Sequence, residues 1–293
     1  MRELTSENEV CLALGYFDSV HLGHRKLIET ARAYAAEHGL DCAVATFINN
    51  AYKVFNRTGK TVYTYAERCD ILSDMCDCVL PMRFDAHLKN CPAEKFLDEI
   101  FSRYNIKAAV CGYDYSFGAG AKGDSELLKR YCAARGVDCI VVDKIEIGGT
   151  RVSTSEIKEM LAVGSIEIAN AYLGAPFFLR GKVIHGRGAG RMFDIPTANL
   201  KLPIDKLVPK SGVYGSTVVV DGKTYTGATN IGGRPTFELS KLAVETMIKD
   251  FSDTIYDKEM TVYLHKYLRP VTRFDTPAEL SKQVHADIEW RSK

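Results

Sequence analysis

Two histidines three residues apart, in Gly15-Tyr16-Phe17-Asp18-Ser19-Val20-His21-Leu22-Gly23-His24, are the residue types a phosphate group requires. Imidazoles add hydrogen bonds and glycines let backbone approach closely. The start of a helix adds unpaired N–H groups and about half a positive charge. The elements that must hold these groups lie on either side. Val10 to Leu14 is an apolar run that reads as a buried strand, and apolar positions recur at helical spacing at Leu27, Ile28, Ala31, Tyr34 and Ala35. Gly39 is placed to close that helix. A strand, a histidine-bearing loop and a helix in this order fit the phosphates of a nucleotide.

The rest of the chain sets bounds on the partner. The 293 residues suffice for one large domain or two ordinary ones, and 46% hydrophobic with 26% charged residues is a globular composition. A formal charge of +1 gives no basic excess, so nucleic acid is not an expected partner and small molecules are. No apolar stretch approaches the roughly 20 residues of a membrane helix, and the chain opens on polar residues, so no membrane association and a cytoplasmic location are expected. Cys69, Cys76 and Cys78 lack the paired spacing of a structural zinc site, and nine cysteines leave one over in any full pairing. Free buried thiols are expected, with no disulfides and no metal cluster.

From Val10 to about Ile147 apolar runs alternate with helical patterns. Strands are expected at 10–14, 41–47, 77–83, 107–112 and 138–143, and helices at 92–104 and 125–135 among others. Such alternation predicts a mostly parallel, doubly wound α/β sheet, with ligands beyond the strand C-terminal ends. Two short helices, 153–161 and 165–173, precede a break at Gly174-Ala175-Pro176, where the domain boundary is placed: 1–174 and 175–293. Beyond it, runs at 177–185, 214–220, 224–230, 244–251 and 259–268, with a tight turn at Asp221-Gly222, predict a small antiparallel barrel. Thr276-Pro277 starts a final helix with Leu280, Val284 and Ile288 on one stripe, expected to pack on the barrel.

The order strand, G-x-F-D, H-x-G-H, helix resembles the HxGH nucleotidylyltransferases. Cys111-Gly112-Tyr113-Asp114 with Phe117-Gly118, and Arg151-Val152-Ser153-Thr154-Ser155, narrow the resemblance to the bacterial bifunctional riboflavin kinase/FAD synthetase family. Pro196-Thr197-Ala198-Asn199, Gly212-Val213-Tyr214, Asn230-Ile231-Gly232-Gly233-Arg234-Pro235-Thr236-Phe237 and Leu268-Arg269-Pro270 match its kinase module in order. The resemblance runs nearly end to end. It implies a Rossmann-like HxGH domain that adenylylates FMN, then a riboflavin kinase barrel with a C-terminal helix. ATP and Mg²⁺ would serve as co-substrate and metal, with riboflavin, FMN and FAD as substrates and products. A monomer or weak homo-oligomer is expected.

By that resemblance His21 and His24 bind the ATP phosphates and stabilise charge as pyrophosphate leaves. Gly15, Phe17, Asp18, Gly23, Asp114, Arg151, Ser153, Thr154, Ser155 and Lys158 would surround the nucleotide. In the kinase half, Gly186, Gly188, Gly190 and Arg191 would cover the phosphates, and Thr197 with Asn199 would support Mg²⁺. Their G-x-G spacing is not a Rossmann fingerprint, since it leads into Pro196-Thr197 instead of a helix. Glu245 is the expected base toward the ribityl hydroxyl.

Four positions depart from the family pattern. Ser19 stands for a glycine, a place where serine requires negative φ; Asn49-Asn50 for a Pro-His-Pro segment; Lys158 for an arginine; and Asp194 for a glycine. Ser19, Asn49-Asn50 and Lys158 motivate a second reading, a kinase whose nucleotidylyltransferase domain is weakened or redirected. A third is a non-catalytic flavin- or nucleotide-binding regulator, against which His21, His24, Thr197 and Glu245 count, because binding alone requires no general base.

Overall fold

Alternate residues of the strand Val10 to Leu14 are buried on opposite sides of one sheet, Val10, Leu12 and Leu14 in one apolar cluster and Cys11 and Ala13 in another. Both faces of a parallel sheet are therefore covered, as the unbroken apolar run requires. The computed structural model describes residues 2–55, 59–186, 196–233 and 242–292. Gly188, Gly190, Arg191 and Asp194, and the run Arg234 to Phe237, lie outside the described residues.

Two compact units form, Met1–Thr154 with Asp205–Leu207, and Ser155–Ile204 with Val208–Lys293. In the first, the elements run β1 (Arg2–Glu3), β2 (Glu9–Leu14), α1 (Leu22–His38), β3 (Asp41–Phe47), α2 (Ala51–Val54), α3 (Tyr65–Leu72) and β4 (Cys78–Met82). They continue through α4 (Ala86–Asn90), α5 (Ala93–Arg103), β5 (Asn105–Gly112), β6 (Ser116–Phe117), β7 (Gly123–Asp124), α6 (Ser125–Ala133), β8 (Asp138–Val142), β9 (Glu146–Ile147) and β10 (Thr150–Arg151). The six-stranded sheet has the order β1-β4-β3-β2-β5-β8, and its pairs are parallel. Chain progression reverses between β2 and β5. The loops after Leu14 and Gly112 thus flank the crevice where such sheets bind ligands. The short helices α2, α3 and α4 carry no periodic signal long enough to read, and sequence reasoning missed them.

The second unit opens with α7 (Thr154–Val163), apart from its first residue, and α8 (Ile166–Leu173). The division therefore falls after Thr154, whereas the change of sequence texture comes at Gly174. Asn170 supplies the physical reason: its amide donates to the Leu264 carbonyl (2.8 Å) and accepts from the Phe177 N–H (2.7 Å), which ties α8 to the barrel. Strands β11 (Phe177–Ile184), β12 (Thr197–Lys201), β13 (Gly212–Val220), β14 (Lys223–Gly233), β15 (Leu242–Ile248) and β16 (Glu259–Arg269) close an antiparallel barrel in the order β11-β12-β15-β14-β13-β16. Asp221 (φ 50°) and Gly222 (φ 72°) form the expected hairpin turn. β12 begins one residue after Pro196, in a segment whose polar sequence reads equally well as a turn. The last helix, α9 (Pro277–Ile288), is capped by Thr276 as expected, and Ile288 is its buried stripe residue. The Arg269–Asp287 ion pair (2.8 Å) and Trp290 Nε1 donating to Gly227 O (3.1 Å) anchor its end.

Candidate active sites

His21 caps α1. Its Nδ1 accepts the His24 backbone N–H (3.1 Å), which places its proton on Nε2 and leaves that edge as a donor. The two imidazoles stack, 3.6 Å between ring centres and 9° from parallel. Gly23 permits this, since a Cβ there would lie 3.0 Å from His21 Cε1. Burial lowers the His21 pKa to about 4, helped by the charge of Arg151. Burial, then His21 and the Arg68 guanidinium, hold His24 well below the ordinary histidine value. Both rings are neutral donors near pH 7. His24 Nδ1 is fully buried and has no hydrogen-bond partner among the described residues.

Other first-half positions divide into those that face this crevice and those that build it. Asp18 is 1% exposed, its carboxylate accepting from Val62 N–H (2.9 Å) and Tyr52 OH (3.4 Å), so it shapes the loop. Phe17 (φ 54°) and Val20 (φ 44°) take the left-handed backbone conformations of the G-x-F-D turn. Ser19 does not, and its buried hydroxyl shares a 2.9 Å hydrogen bond with Thr154 Oγ1. The serine is accommodated where the family carries glycine. Gly15 accommodates the Phe17 ring, and Asp114, after β5, pairs with Arg151 (3.3 Å), which also donates to Tyr113 OH (2.8 Å). Ser153 directly precedes α7, while Ser155 and Lys158 are α7 residues of the second compact unit.

Sequence reasoning missed Arg68, 1% exposed on α3. Its guanidinium donates to the carbonyls of Tyr16 (3.3 Å) and Phe47, and its Nε is buried without a partner among the described residues. It joins the ends of β2 and β3 beneath the crevice. Nothing local marked it, since a lone arginine in an amphipathic helix reads as solvated.

In the barrel the decisive feature is a row across three strands. Register sets Asn199 of β12 and Asn230 of β14 on either side of Glu245 of β15. The Oδ1 atoms of both asparagines are buried and have no hydrogen-bond partner among the described residues. Thr197, two residues before Asn199, shares its face and is exposed. Gly186 makes room for the row, since a Cβ there would meet Asn199 Nδ2 at 2.4 Å. Residues one position away point oppositely and form a buried hydroxyl ladder, Ser216–Thr229 (2.8 Å) and Thr229–Thr246 (3.0 Å). Thr197, Asn199 and Glu245 thus lie on neighbouring positions of paired strands. Asn230, the first residue of the Asn230 to Phe237 motif, joins them.

Comparison with known proteins matches both halves of the chain. The FAD synthetase family model matches residues 3–156 and the riboflavin kinase model residues 173–293. A bifunctional riboflavin kinase/FMN adenylyltransferase of Bacillus subtilis is 32% identical, over 94% of this chain and 89% of its own length. The Listeria monocytogenes enzyme of the same name is 33% identical over 97% and 92%. The chain belongs to the bifunctional riboflavin kinase/FMN adenylyltransferase family. It is an enzyme of flavin cofactor biosynthesis. A crystal structure from Streptococcus pneumoniae titled as a macrolide-efflux protein also matches, with TM-score 0.90, 29% identity and coverage of 98% and 94%. Among the described residues no helix is long and apolar enough to cross a membrane.

Against this family's pattern, Asn49 and Asn50 are spent on structure. Asn49 donates to Phe84 O (2.7 Å) and accepts from Phe84 N–H (2.9 Å). Asn50 caps α2, accepting from Tyr52 N–H (3.0 Å) and donating to Gly59 O (2.9 Å). Their hydrogen bonds brace the segment after β3.

Proposed function

We propose that this chain phosphorylates riboflavin at the Glu245 row and adenylylates FMN at the His21–His24 site. In the second reaction a phosphate oxygen of FMN attacks the α-phosphorus of ATP, and the bond to the departing pyrophosphate breaks. Neutral N–H donors aimed from the start of α1 suit that charge build-up without a protein nucleophile. The stacked, desolvated imidazole pair carries this reading most directly. Gly15, Phe17 and Asp18 shape the turn, Gly23 seats His21, and Asp114, Arg151, Ser153 and Thr154 line the nucleotide, with Ser155 and Lys158 following on α7.

For the kinase, Glu245 takes the proton of the primary ribityl hydroxyl as the γ-phosphoryl group is transferred. The orphaned Asn199 Oδ1 is a hard oxygen donor, which fits Mg²⁺, and Thr197 adds a hydroxyl beside it. When bound there, Mg²⁺ supplies neutralisation of phosphate charge. Gly186, and Gly188, Gly190 and Arg191 beyond the described residues, serve as the phosphate-covering loop. Small molecules are the partners, in the cytoplasm, with a monomer or weak homo-oligomer as the working form.

Chromatography of flavins tests both activities, with ATP and Mg²⁺ and either riboflavin or FMN supplied. FMN from the first tube and FAD from the second are expected. FMN without FAD in either tube would leave the kinase alone.

A further inference from the structure

Sequence spacing among cysteines offers no metal site, but the fold brings possible ligands of mixed residue types together. His87 on α4, Cys91 at the end of that helix and Glu99 on α5 bring one ligand atom each to within 4.8 Å of one another. His87 Nε2 lies 3.4 Å from Glu99 Oε1, and Cys91 Sγ lies 4.0 Å from the same oxygen. Nitrogen, sulfur and oxygen ligands of one tetrahedral zinc ion sit roughly 3.3–3.6 Å apart, given bonds of about 2.0–2.3 Å. The trio is therefore close to a bound geometry before any metal arrives. We propose that His87, Cys91 and Glu99 form a binding site for a thiophilic divalent cation of the zinc class, with solvent completing the fourth position.

The ligand set supports that choice. One thiolate and one imidazole with one carboxylate suit Zn²⁺ over Mg²⁺, which prefers oxygen ligands throughout. Binding replaces the Cys91 thiol proton with the metal and releases that proton to solvent. Cys91 is buried while His87 and Glu99 are exposed, so a cation can enter from water. Burial and then the Glu99 charge favour the thiol form of Cys91 in the metal-free protein, and Lys95 opposes them.

The position also has a use. The five-residue helix α4 has no fully buried side chain, and its apolar packing is the partly buried Leu88 against the core. Cys91 O accepts the Ala119 N–H (2.7 Å), which joins this corner to the loop after Phe117-Gly118. A cation bridging α4 and α5 would stiffen the base of that loop, in the segment that follows Asp114.

Titration of the reduced full-length protein with Co²⁺ tests the site. One equivalent should bind with a thiolate-to-cobalt absorption band in the near ultraviolet, and Zn²⁺ but not Mg²⁺ should abolish it. Cys91→Ser should remove the band. His87→Ala and Glu99→Gln, both at exposed positions that folding tolerates, should weaken binding by about tenfold or more, since even outer-shell partners of a metal are worth that. Absence of the band, or a band of unchanged affinity in His87→Ala and Glu99→Gln, would overturn the assignment, because eight other thiols remain available.

Discussion

The two candidate sites, both assigned to ATP in the proposed function, present opposite chemistry. At the end of the parallel sheet the protein offers donors: helix N–H groups and imidazoles kept neutral by burial. On the barrel it offers acceptors, two orphaned amide oxygens flanking a carboxylate. Donors address phosphate oxygens directly, whereas a row of oxygen acceptors repels them unless a cation intervenes. The difference follows from the elements themselves, because a helix start concentrates N–H groups and a strand face presents only its side chains.

Selective damage to each half sharpens that contrast. Glu245→Gln should lower FMN formation from riboflavin by about a thousandfold, within the usual range for a general base, while FAD formation from FMN stays unchanged. Equal losses in both half-reactions would break the separation. Lys206, wholly buried, donates to Val62 O (2.8 Å) and pairs with Glu67 (3.0 Å) inside the first unit. Lys206→Ala strands a buried carboxylate and should destabilise that unit by about 3–5 kcal/mol. Hydrogen exchange across residues 62–68 reads this, while fluorescence of Trp290, the sole tryptophan, reports an unchanged barrel.

Gly23→Ala pushes a methyl group against His21 and should cut FMN adenylylation by about a hundredfold, with riboflavin phosphorylation unaffected. A pH effect is smaller. His21 is neutral when folded down to about pH 4 but takes up a proton near 6.5 when unfolded, so the unfolded state binds more protons between those values and stability falls on acidification. At pH 5 the loss is about 2 kcal/mol relative to pH 7, observable as a lower calorimetric transition for the first unit. In His21→Gln that slope should flatten.

Much of this was legible because local signals agreed. Val10 to Leu14, the spacing of Leu27, Ile28 and Ala31, and Gly39 each foretold β2 and α1, and the H-x-G-H motif fixed where the rings fall. Thr197, Asn199 and Glu245 were legible as motifs, yet their alignment depended on register that β12, with polar Thr197 and Asn199, does not advertise. Asn230 and Arg68 became visible only through burial. Lys206 and Glu67 are 139 positions apart, and no periodicity links them.

That last pairing limits how modular the enzyme can be. Residues 205–207 lie in the kinase half of the sequence but are built into the first unit, where Thr61 exchanges backbone hydrogen bonds with Asp205 and Leu207. A gene split at Gly174 would deliver an adenylyltransferase lacking its own buried lysine, so fission of this bifunctional chain into two independent enzymes would require first replacing Glu67 or grafting the tripeptide back.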